Sequence, residues 1–186
     1  MAVPAKGFCI HLRRQRQEKR SGRPHARTVG DYQCYWNGQA IAGLSGQLVE
    51  RQGPGSNTDA VGNAKDLRIA AGSYPLAVHD GTKYQTFGYK TSQSHSATPK
   101  PGLLLKKTGE RDAILIHPGM DYVWSVGCLN PASNLTDAAS GINFADSRRQ
   151  VITIIEAMQA RMGNTFPKSG GAPIPDAVIL IEGEPN

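Results

Sequence analysis

A helix needs apolar residues every three or four positions, and this chain meets that need clearly in one place. Val151, Ile154, Ile155 and Met158 recur at i, i+3, i+4 and i+7, with Met162 one turn further on. Asp146 or Ser147 is placed to cap its start and Gly163 to end it. Elsewhere apolar residues come in short runs cut by glycine and proline, of which the 186 residues contain 21 and 12. Short runs between turn residues read as strands. The expectation is a mainly β fold with one amphipathic helix toward the C-terminus, in a single domain over 1–186. A chain of this length buries a core without help from disulfides or metals.

Phe8, Ile10 and Leu12 alternate with Cys9, His11 and Arg13, which predicts a first strand. Residues 31–36 lead into Asn37-Gly38, the strongest short hairpin signal, and residues 39–50 read as the return strand. Residues 74–78 are a strand, 83–89 a weaker one, and 92–102 a polar loop. Leu103 to Leu105 and Ala113 to Ile116 are short apolar runs that read as buried strands. The stretch 164–176 is rich in proline and glycine, and residues 177–181 close the chain as a strand.

Charge is placed unevenly. The first 27 residues hold eight lysines and arginines against the single acid Glu18, a balance of +7 on a chain whose total is +6. The stretch 13–27 reads as a basic loop, either simply solvated or facing an anionic polymer or partner. Nucleic acid is a weaker expectation, because no aromatic residue interleaves with these cations and no nucleic-acid motif is present. No run of about 18 apolar residues exists to form a transmembrane helix. The N-terminus carries no secretory signal pattern, which implies synthesis in the cytoplasm and, for any action outside it, a specialised route.

Cys9, Cys34 and Cys128 are three, so one thiol at least stays free. Cys9 and Cys34 sit in apolar alternating contexts, as small core residues. Cys128 lies instead in the loop-like stretch IHPGMDYVWSVGCLN, residues 116–130, with His117 at the head of the same stretch. A cysteine nucleophile needs a base to ionise it and donors for the oxyanion that forms on attack. His117, at the end of a strand, supplies an imidazole that titrates near neutrality. Gly127 permits tight backbone geometry, and the N–H groups of Gly127 and Cys128 are candidates for the oxyanion site. Ser125 can add a hydroxyl. Pro118-Gly119 turns the chain after His117, where a backbone carbonyl can fix the imidazole tautomer. Tyr122 and Trp124 either shape a substrate groove or pack the loop, and His95 is a further candidate for the cleft. His79-Asp80-Gly81 reads as a turn. No metal-ligand spacing is present, so no metal is expected. The bland alternative is a capped strand end at His117 and a buried thiol at Cys128.

The order of the pair is informative. His117-Pro-Gly119 comes first, and Ser125-Val-Gly-Cys-Leu129 places the cysteine eleven residues after the histidine. This resembles the L,D-transpeptidase (YkuD-type) catalytic domain, whose signature is a His-Gly segment followed by Ser/Thr-His-Gly-Cys and an apolar residue. Thr28-Val-Gly30, Leu48-Val-Glu50 and Ala70-Ala-Gly-Ser-Tyr74 extend the resemblance to a divergent branch of short bacterial and phage proteins, over residues 8–131. Val126 stands where the family has histidine and Asn130 where it has arginine. The loop between His117 and Cys128 is also shorter than in the family.

The resemblance implies a β-rich L,D-transpeptidase-like domain, with peptidoglycan stem peptides as substrate and no cofactor. Cys128 would attack the carbonyl of the third-position diamino acid and expel the terminal D-amino acid. An amine acceptor would then complete transpeptidation, and water would give carboxypeptidase activity. Gly127, Ser125 and Gly119 would shape the site, with His95, Tyr122, Trp124 and Asn130 along the cleft. Together with the missing signal, this points to periplasmic action after specialised secretion or lysis. A type VI secretion effector, with a secretion-machine component or an immunity protein as partner, would fit. The competing expectation is a non-catalytic cell-wall or partner-binding module on the same fold.

Overall fold

The computed structural model describes residues 1–58 and 67–186. The fold is mainly β with one long helix. Ten strands are described: β1 (Phe8–Glu18), β2 (Arg27–Trp36), β3 (Gln39–Arg51), β4 (Gly72–Val78), β5 (Tyr84–Gln85), β6 (Lys100–Pro101), β7 (Leu103–Leu105), β8 (Leu115–Ile116), β9 (Asn130–Ala132) and β10 (Pro173–Glu182). The helix α1 spans Phe144–Met162. Eight strands form one sheet in the order β8-β7-β4-β10-β1-β2-β3-β9, and β5 and β6 form a small parallel ribbon.

The central strand β1 pairs parallel with β10 and antiparallel with β2. The turn into β3 is made by Asn37 and Gly38, with φ of 50° and 77°. Two successive positive φ angles are what a two-residue hairpin requires, and Asn and Gly are the residues that tolerate them. The Asn37 side chain also accepts a 2.8 Å hydrogen bond from Gly7 N–H.

The helix lays Val151, Ile154, Ile155 and Met158 against Phe8, Ile10, Leu12 and the apolar side chains of β4, β7 and β10. A smaller cluster gathers Val29, Val49, Ala132, Leu135 and Ile142. The helix begins one turn before the expected caps. Asn143 is the N-cap, its side chain accepting from Asp146 N–H at 3.0 Å, and Gly163 closes the C-terminus. Ser147 is instead buried within the first turns. Among the described residues no helix is long and apolar enough to cross a membrane.

The basic stretch 13–27 is not the loop its composition suggests. β1 continues to Glu18 and β2 resumes at Arg27, so only residues 19–26 turn the hairpin. Most of its arginines are paired within the fold. Arg14 is wholly buried and makes a two-pronged contact with the equally buried Glu50, at 2.8 and 2.9 Å. It also reaches Glu184 and the Ile69 carbonyl. Arg27 donates to Glu18 and to the carbonyls of Tyr122, Asp137 and Ser140. Arg16 pairs with Glu18, and Arg20 and Arg23 pair with Asp121. A buried guanidinium must find such partners, and here they come from segments far away in sequence. The weaker strand expected over 83–89 shrinks to Tyr84–Gln85, and residues 173–176 of the proline- and glycine-rich stretch join β10.

The two edges of the sheet meet. β8 ends at Ile116, which forms a parallel bridge with Leu129, the residue before β9. Leu129 N–H donates to the Leu115 carbonyl at 2.8 Å, and His117 N–H donates to the Leu129 carbonyl at 3.1 Å. These two hydrogen bonds make a seam between the first and last strands of the sheet order.

Candidate active site

The seam carries His117 on one side and Cys128 on the other. Carrying the register of the Ile116–Leu129 bridge one residue each way sets His117 opposite Asn130 and Cys128 opposite Leu115. Alternation then sends these four side chains to one face, while Ile116 and Leu129 point into the core. The contacts agree. Asn130 Nδ2 donates to the His117 carbonyl at 2.9 Å and lies 3.3 Å from His117 Nδ1. Cys128 Sγ accepts from Leu115 N–H at 3.4 Å.

The tautomer of His117 follows from its neighbours. Nδ1 lies 2.8 Å from the Pro118 carbonyl oxygen, which only accepts, so Nδ1 carries the proton. Nε2 is left with its lone pair. Burial holds the imidazolium well below its ordinary range, at about 4, with the Pro118 carbonyl acting the other way and Lys100 adding to the depression. His117 is therefore a neutral ring with a bare nitrogen at neutral pH, the state a general base requires. Its face is covered by Tyr84 of β5, ring centroids 4.2 Å apart and planes tilted by 32°. Lys100 of β6 lies over the other ring of this stack, 5.9 Å from the Tyr84 centroid.

Cys128 is half-buried, whereas Cys9 and Cys34 are fully buried. All three thiols are free. Burial pushes the Cys128 thiol up to about 11, while the Leu115 N–H and the Arg111 guanidinium pull it down. Its S–H is directed at the Ala113 carbonyl, 3.6 Å away. No hydrogen bond joins Sγ to His117, so the pair rests as thiol and neutral imidazole rather than as an ion pair. The N–H groups of Gly127 and Cys128 donate to no acceptor among the described residues, and Gly127 itself is buried against Arg111.

The remaining sequence candidates divide. Gly119 lets the site close: a Cβ there would lie 2.7 Å from Asn130 Cβ, and its N–H donates to Ser147 Oγ at 2.9 Å. Ser125 braces the turn from inside, its hydroxyl 3.0 Å from the Cys128 carbonyl and 3.1 Å from Asn130 Oδ1. It is not free for an oxyanion. Asn130 is fully buried and grips His117, so it does not line a cleft. Tyr122 is core: it is 1% exposed, has the guanidiniums of Arg20 and Arg27 over its ring at 4.8 and 4.6 Å, and donates to the Glu18 carbonyl. Trp124 is exposed, beside the Tyr84 hydroxyl. His95 is exposed and makes an edge contact with Phe144. No group of three or more His, Cys, Asp or Glu side chains is placed to hold a metal among the described residues.

Three residues of the site went unnamed in the sequence reading: Tyr84, Lys100 and Arg111. They lie outside the motif and reach it only through the β5–β6 ribbon and the turn before β8. A signal existed for the ribbon alone, in the aromatic and glycine punctuation of residues 84–102.

No protein-family model matches the chain, and no curated protein and no solved structure matches it.

Proposed function

We propose that the protein is a cysteine acyltransferase or hydrolase acting on peptidoglycan stem peptides, of the L,D-transpeptidase or L,D-carboxypeptidase type. The observation that carries this reading is the seam. It sets a half-buried thiol and a tautomer-locked imidazole on one face of adjacent backbone segments.

In this reading substrate binding displaces the S–H from the Ala113 carbonyl. His117 Nε2 takes the thiol proton as Sγ attacks the peptide carbonyl carbon. The N–H groups of Gly127 and Cys128 receive the developing oxyanion. Collapse of the tetrahedral species returns the proton from Nε2 to the leaving amine and leaves an acyl-Cys128 thioester. A second amine or a water then attacks, with Nε2 again as base, and releases the product. The resting thiol is high, so ionisation is coupled to attack rather than completed beforehand.

Purified muropeptides incubated with the wild type and with Cys128→Ala, followed by mass spectrometry, test it. Loss or exchange of a terminal D-residue with the wild type alone is the expected result. Unchanged muropeptides, with no acyl adduct on Cys128, would overturn it. The Sγ contacts to Leu115 and Ala113 in place of His117 favour a second reading, a non-catalytic cell-wall-binding module. That reading expects equal binding of sacculi by wild type and Cys128→Ala, with no product from either.

A further inference from the structure

The turn that leads into β8 delivers an arginine to the back of the nucleophile. Thr108 Oγ1 and the Arg111 carbonyl close the turn, and Ala113 follows with a φ of 54°. Arg111 is 1% exposed, and its Nη1 donates to the carbonyls of Leu67 and Ser56 at 2.7 and 3.1 Å. The rest of the guanidinium is packed against Gly127. A Cβ at Gly127 would lie 2.8 Å from Arg111 Cζ and closer still to Nη2, and 3.1 Å from Ile114 Cδ1. Gly127 also has a φ of 86°. The glycine before Cys128 thus answers two demands, a left-handed backbone and room for a cation.

We propose that Arg111 is a positioning residue for Cys128, its buried guanidinium stabilising negative charge on Sγ through the gap left by Gly127. This rests on the reading of Cys128 as a nucleophile and supplies what that reading lacks, a fixed positive charge close to the thiol. Asn130, two places after Cys128, is committed to His117, and Arg111 brings a guanidinium to the turn from a different segment.

Among the described residues the ionisable groups around Cys128 are few. Arg111 approaches from the turn before β8, Tyr84 from β5 with Lys100 over its ring, and His117 from the end of β8. His117 is neutral above roughly pH 6, and the half-buried Tyr84 phenol is raised by burial, so among the described residues the charge acting on Sγ over the neutral range is that of Arg111.

The test is the pH profile of Cys128 alkylation by iodoacetamide, read by mass spectrometry on the full chain. It requires no peptidoglycan, so its failure is distinct from a failure to turn over muropeptides. Below the titration midpoint the rate follows the thiolate fraction, and each unit of midpoint is about tenfold in rate. Arg111→Gln is expected to react about tenfold more slowly than the wild type at a given pH. Arg111→Lys, which keeps the charge, is expected to stay within about threefold. A merely structural role would lower the melting temperature of both variants and leave their profiles alike. A wild-type profile in folded Arg111→Gln, or faster reaction, overturns the proposal. Should Arg111→Gln not fold, Gly127→Ala displaces the guanidinium from the same spot. Its profile must then shift to higher pH, and an unmoved profile overturns the proposal equally.

Discussion

At the scale of single residues the site is held by neutral groups made to stay neutral. His117 ionises at about 4 when folded and near its ordinary value when unfolded. The unfolded chain therefore binds more protons between these values, and stability rises with pH there. The contribution is complete above the unfolded value and is lost as pH falls toward about 4. A shift of that size is worth on the order of 3 kcal/mol. Melting followed from about pH 7 to about pH 4 is expected to show this loss in the wild type, with much of the slope gone in His117→Gln. Asn130 belongs to the same residue-scale device. Asn130→Ala leaves the buried His117 carbonyl unpaired and is expected to cost about 1–3 kcal/mol in chemical denaturation. It also frees the His117 segment, and under the proposed function turnover of muropeptides is expected to fall on the order of 10–100-fold. His117 and Cys128 were legible as candidates because their spacing is local. The grip of Asn130 was not, since the resemblance placed it along the substrate cleft. Only the seam register reveals that it is buried opposite His117.

At the scale of elements, what was legible depended on how far a residue's partners lie along the chain. The helix was visible because its apolar stripe is written within twelve residues, and the Asn37-Gly38 turn because its two φ angles are local demands. The start of the helix was misplaced by a few residues. Asp146 and Ser147 have good capping chemistry, but Asn143 holds the position one turn earlier. The basic stretch was misread for the opposite reason. Glu50 lies 36 residues and Glu184 170 residues from Arg14, so no local pattern shows that Arg14 is an interior residue. Its neighbour Arg13 is 68% exposed and lies 3.8 Å from Glu182. The two therefore make a paired experiment within one strand. Arg14→Ala strands a buried carboxylate and is expected to destabilise by about 3–5 kcal/mol. Arg13→Ala is expected to change stability by less than about 1 kcal/mol. Equal effects in urea denaturation would mean that β1 does not alternate as described.

At the scale of the whole molecule, the site sits where the sheet is weakest. The central pairing of β1 with β2 runs over ten residue pairs, whereas the edge strands β8 and β9 meet through one bridge. Two hydrogen bonds, Leu129 N–H to Leu115 and His117 N–H to Leu129, hold that closure. Opening it breaks little and exposes little, so its local free-energy cost is far below that of unfolding β1. Native-state hydrogen exchange is therefore expected to show the Leu129 and His117 amides exchanging by local opening, faster by orders of magnitude than those of Ile10 and Leu12. Urea at concentrations below the transition should leave the seam rates nearly unchanged while accelerating the core, because only global unfolding exposes much surface. An acyl group on Cys128 that engages the N–H groups of Gly127 and Cys128 would tie down the turn that leads into Leu129, and it should slow the Leu129 amide selectively. Protection of the seam amides equal to that of the core would show the sheet to be closed as firmly at the site as at its centre. Cys128 and His117 would then be held in fixed relation, with no opening to bring Sγ toward Nε2.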